Sequence, residues 1–138
     1  MKVISAGPAE RLAMLVHQFV RNFPALEKPD VAIGRCKFYS MELAKFLISN
    51  GISATVYHVQ HIRNPEAWPN AHKDWKETNA KKWSHYVVRA GNAIIDVTSR
   101  QLDPDGQHPR IMPFKELTKS WKIVERDNFI TKVTKELT

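Results

Sequence analysis

The chain has 138 residues, 43% of them hydrophobic and 25% charged, which suits one domain over residues 1–138 and excludes a two-domain protein, a disordered tail and a fibrous repeat. Lysine and arginine total 21 against 14 acidic residues, a formal charge of +7 that suits an acidic partner or surface without naming one. One cysteine allows no internal disulfide and points to a reducing, cytoplasmic setting. No apolar run has the length of a membrane span, and the first ten residues lack the apolar stretch of a signal peptide, so no membrane partner is expected.

In chain order, residues 8–23 place Leu12, Leu15, Val16, Phe19, Val20 and Phe23 at spacings of three and four, one face of an amphipathic helix with Pro8 in its first turn. Pro24 and Pro29 bracket a polar connection that leads to Gly34 and Arg35. A second helix is predicted over 36–49, with Phe38, Tyr39, Leu43, Phe46 and Leu47 on its apolar side and Asn50-Gly51 as a left-handed stop. Residues 52–59, rich in β-branched and aromatic side chains, read as a strand.

The polar stretch 61–82 carries Trp68 and Trp75, and part of it suits a short helix. Residues 83–90 and 93–97 form two strands about Gly91-Asn92, a pair suited to a tight hairpin turn. Asp103-Pro104-Asp105-Gly106 is turn chemistry, and residues 113–121 read as a short helix with Phe114, Leu117 and Trp121 inward. A last strand over 121–125 and a weak terminal helix over 128–138 complete an α+β domain.

The hairpin register places chemistry. With Gly91 and Asn92 as the loop, Ala90 pairs with Ala93, Val88 with Ile95, Val87 with Asp96 and His85 with Thr98. Tyr86, Val88, Ala90, Ala93, Ile95 and Val97 then share one apolar face, and His85 and Asp96 share the other. They lie diagonally, roughly 7–8 Å apart at the backbone, within reach of an imidazole–carboxylate bond. Such a bond orients one ring nitrogen and leaves the second for another group, the arrangement nucleophilic catalysis needs. Cys36, at a helix N-terminus where backbone dipoles favour a thiolate, is that group. The same amides can receive an oxyanion, with Gln18 or Asn22 of the first helix as a further donor, and Trp68, Trp75 and Trp83 are expected to wall a substrate groove.

The order Cys36, His85, Asp96 on helix, strand and strand resembles the papain-like cysteine hydrolase superfamily, in particular its transglutaminase-like branch. Gly34-Arg35-Cys36-Lys37-Phe38 is similar to that branch's nucleophile motif, Gly51-Ile52-Ser53-Ala54-Thr55-Val56 to its first strand after the helix, and Asp96-Val97-Thr98 to its Asp-x-Thr segment. The resemblance covers residues 34–101 and departs at Val87, where the branch often carries an aromatic residue and this chain has Tyr86 next to the histidine instead. It implies an antiparallel sheet packed against a nucleophile-bearing helix, a Cys-His-Asp triad, no cofactor and a protein or peptide substrate. Peptidases, deamidating amidases, acyl transferases and inactive members share such scaffolds.

Two other readings compete on the residues alone. His58, His61 and His72 cluster in sequence but lack a recognisable ligand pattern, so no metal site is expected. The basic residues interleaved with aromatics over 63–82 suit a non-catalytic binding domain for nucleic acid or an acidic protein on the same scaffold, although no nucleic-acid-binding motif is legible.

Overall fold

The computed structural model describes residues 7–28, 34–62, 66 and 68–126. Helix α1, Pro8–Arg21, buries the expected stripe of Leu12, Leu15, Val16, Phe19 and Val20. Phe23 lies past its end and packs on Phe19 at 4.9 Å and on Tyr39 at 5.3 Å between ring centroids, and a single 3-10 turn, Pro24–Glu27, follows. Pro29 and the tail over 128–138 lie outside the described residues.

Helix α2, Cys36–Ser49, begins at the cysteine. It stops where Gly51 adopts φ 82°, with Gly51 N–H donating to Ile48 O at 3.0 Å and Ile52 N–H to Leu47 O at 2.9 Å. These crossed bonds satisfy carbonyls that a helix end otherwise leaves open. Ile52 is thereby part of the helix stop, which corrects the expectation of a strand from residue 52. Strand β1 is Thr55–Ile62, running past the expected end at Val59 because it pairs with β2 along its whole length, His61 opposite Trp83 included.

One turn of helix, α3 (Lys73–Lys76), lies in the tryptophan-bearing connection. Strands β2 (Lys82–Ala90) and β3 (Ala93–Asp96) form the hairpin, in the expected register from Ala90↔Ala93 to Val88↔Ile95, with Gly91 at φ 60° in the turn. Strand β4 (Arg110–Pro113), helix α4 (Phe114–Ser120) and strand β5 (Lys122–Arg126) close the order. The sheet is antiparallel throughout, ordered β4-β3-β2-β1-β5, so the domain is α+β.

The pleat sends alternate residues to two cores. On one face Val56, Val88, Ala90, Ile95 and Val97 pack under the apolar sides of α1 and α2. On the other, Tyr57, Val59, Trp83, Val87 and Ile94 pack with Trp75, Leu102, Leu117 and Trp121. Among the described residues no helix is long and apolar enough to cross a membrane.

Candidate active site

Strand β2 has nine residues and β3 four, and this mismatch shapes the site. A two-residue hairpin turn makes Ala90 and Ala93 a hydrogen-bonded pair, and antiparallel ladders alternate, so Val88, Tyr86 and Ser84 turn their backbone groups to the β3 side. The paired ladder ends at Val88↔Ile95. The expected pairing of His85 with Thr98 is not made, because Thr98 folds back: its N–H and its hydroxyl both donate to Asp96 Oδ1, at 3.0 and 3.3 Å. Tyr86 N–H therefore looks past the end of β3 and is one of the groups that lower the Cys36 thiol.

His85 is 2% exposed and bonds through Nε2 to Asp96 Oδ2 at 2.7 Å. Its ring is held between the indoles of Trp75 and Trp121, at 6.0 and 5.7 Å between centroids. A carboxylate only accepts, so the proton sits on Nε2. Nδ1 makes no hydrogen bond among the described residues, and Cys36 is the neighbouring thiol that it influences.

The electrostatics follow from these neighbours. Burial pushes the Cys36 thiol up, but the neighbouring His85 ring, with its charge, and the Tyr86 backbone N–H outweigh burial and hold it below its ordinary value. Burial pushes His85 down, yet the Asp96 charge and hydrogen bond, reinforced by Cys36, lift it to about 10 from 6.5. Both shifts run in the direction that favours a thiolate beside an imidazolium, and two groups so close titrate as a unit.

The N-cap residue Arg35 makes no side-chain capping bond and no acidic residue stands in the first turn of α2, so among the described residues no side chain is shown to cap its leading amides. Gln18 lies exposed on α1 and makes no side-chain hydrogen bond among the described residues, so nothing ties it to this site. A cavity of about 230 Å³ reaches His85 and Asp96, and half-buried Trp68 lines it together with Arg110, Met112 and Trp121. Trp75 and Trp83, 8% and 1% exposed, belong to the core instead of walling a groove: both face inward on the covered side of the sheet. A larger hollow of about 740 Å³ lies between the start of α1 and the hairpin turn, away from the His85–Asp96 pair, and is lined mostly by apolar residues such as Leu12, Ile52, Ala90 and Ile111.

A buried chain of hydrogen bonds links Trp83, Trp75, Gln101 and Thr98. Gln101, fully buried, receives the Trp75 indole N–H on Oε1 at 2.9 Å and donates from Nε2 to Thr98 Oγ1 at 2.9 Å. Trp83 Nε1 in turn donates to the Trp75 carbonyl at 2.9 Å. For Thr98 a signal existed, since a polar residue two places after an aspartate suits an Asx turn. For Gln101 and Trp75 there was none, because their partnership spans 26 positions.

The histidines at 58, 61 and 72 go separate ways: His58 stacks on Tyr86 at 4.6 Å, His61 packs edge-on to Trp121 at 5.3 Å, and His72 caps α3 by accepting from Asp74 N–H at 3.1 Å. Among the described residues no group of three potential ligands is poised for a metal. No protein-family model, no curated protein and no solved structure matches the chain.

Proposed function

We propose that this protein is a cysteine-dependent acyl-transfer enzyme of papain-like, transglutaminase-like architecture, acting on an amide or related carbonyl of a protein or peptide. The observation that carries the reading is the buried 2.7 Å bond from His85 Nε2 to Asp96 Oδ2, with the second ring nitrogen left for Cys36. The Cys36 sulfur attacks the carbonyl carbon, and the α2 amides receive the charge that develops on oxygen. His85 passes its Nδ1 proton to the leaving amine as the tetrahedral species collapses to a thioester. Water or an amine then attacks the thioester and gives its proton back to His85, which regenerates the thiolate and releases an acid or a new amide. Asp96 keeps the ring oriented through both halves. Protein groups alone supply this chemistry, which needs no cofactor, and a reduced thiol suits the cytoplasm.

The test is the pH dependence of Cys36 alkylation by iodoacetamide, followed by intact mass. The native chain is expected to react well below the ordinary thiol pKa of about 8.5, and His85→Ala and Asp96→Asn to lose that low-pH reaction by tenfold or more, on the order of one pKa unit. A native profile centred on the ordinary value and indifferent to His85→Ala would sink the proposal and leave a basic binding domain.

A further inference from the structure

We propose that Gln101 and the Trp75 indole are positioning residues for the thiolate, because they set the direction of the hydrogen bonds that reach Asp96. This inference rests on the acyl-transfer reading of Cys36 and His85. An indole N–H only donates, so Trp75 must meet the carbonyl end of the Gln101 amide, which turns the NH2 end toward Thr98. The Thr98 hydroxyl accepts from that amide and has one proton to give, which goes to Asp96 Oδ1. With the Thr98 N–H on the same oxygen, Oδ1 is occupied twice and Oδ2 is the one offered to His85. His85 then carries its proton on Nε2 toward Asp96 and presents Nδ1 to sulfur.

The amide and the hydroxyl that carry this direction are out of reach of bulk water: Gln101 is 0% and Thr98 1% exposed. No solvent molecule from the surface replaces a lost partner, so a break at Gln101 is transmitted to the carboxylate. The backbone joins in, since the Gln101 carbonyl accepts from His72 N–H at 2.7 Å and so fastens the α3 turn to the same residue.

The experiment compares alkylation profiles and melting temperatures of the full chain carrying Thr98→Ser, Thr98→Val, Gln101→Met, Trp75→Phe and His85→Ala, with Tyr57→Phe as a loss of one hydroxyl elsewhere in the same core. Thr98→Val, Gln101→Met and Trp75→Phe are expected to move the alkylation midpoint up by about one pH unit, which slows reaction below the midpoint about tenfold, the worth of one hydrogen bond to a charged group. Thr98→Ser, which keeps the hydroxyl, and Tyr57→Phe are expected to retain the native midpoint. If Thr98→Val and Gln101→Met lower the melting temperature and leave the midpoint in place while His85→Ala moves it, the positioning role is overturned and the thiolate reading stands. If His85→Ala also leaves the midpoint in place, both fall together.

Discussion

His85 keeps a proton that burial alone would remove, and this makes its contribution to stability run in a particular direction with pH. In the unfolded chain the ring titrates near 6.5 and in the folded chain near 10, so the folded state holds the extra proton between those values. Its contribution is complete below pH 6.5 and is lost as pH rises toward 10. Cys36 runs the other way: a lowered thiol pKa stabilises above the unfolded value and loses that contribution as pH falls through the folded one. The two slopes oppose each other in the native chain, and removing the sulfur exposes the imidazole's. Urea denaturation of Cys36→Ala is expected to show stability declining as pH rises above 6.5, over a window narrower than the native one because the lift from Cys36 is gone, and the added change Asp96→Asn to flatten that decline. A level profile for Cys36→Ala alone would mean that the buried ring is neutral. Of the residues involved, Cys36, His85 and Asp96 were legible because helix start and hairpin parity are short-range properties. Gln101 and Trp75 were not, because what they do depends on a distant partner that no local pattern encodes.

At the scale of elements, the stop of α2 is where local sequence acts most directly. Gly51 at φ 82° carries the crossed bonds, and a side chain there is strained whatever the space around it. Gly51→Ala is expected to cost about 1 kcal/mol in chemical denaturation. It should leave the alkylation midpoint of Cys36 alone, since the change sits at the opposite end of the helix; a shifted midpoint would show that the helix moves as a rigid rod. The hairpin and both long helices were readable in sequence because their signals are periodic, with Asn50-Gly51 marking the stop of α2 and Gly91-Asn92 the hairpin turn. The bounds of β1 were not, since Ile52 serves the helix stop and His61 is held by pairing with Trp83. The early end of β3 was hidden for a related reason: Thr98 prefers the Asp96 carboxylate to the ladder.

Over the whole molecule, the sheet is covered on both faces by named clusters, with the cysteine-bearing helix on one side and the tryptophan-rich core on the other. Sequence parity assigned one face to the core and His85 with Asp96 to the other. That the second face is also buried followed from tryptophans that their sequence context suggested for a groove. The formal charge of +7 acts at this scale too. Any polynucleotide binding that this charge alone supports at low ionic strength is expected to weaken by on the order of a hundredfold or more between about 50 and 200 mM salt, and to be unchanged by Cys36→Ala. A sequence-selective affinity that survives physiological salt in a fluorescence titration would favour nucleic acid as the target. The layered arrangement also has a consequence for how the fold can be watched. Cys36 rides on the helix of one layer while the ring of His85 is wedged among the indoles of the other, so their encounter exists only while both layers are tightly docked. In a swollen state that kept its helices and strands but loosened its side chains, the sulfur would revert to an ordinary thiol. On the proposed acyl-transfer reading its reactivity is thus a built-in gauge of tertiary order, readable at one atom without an added dye.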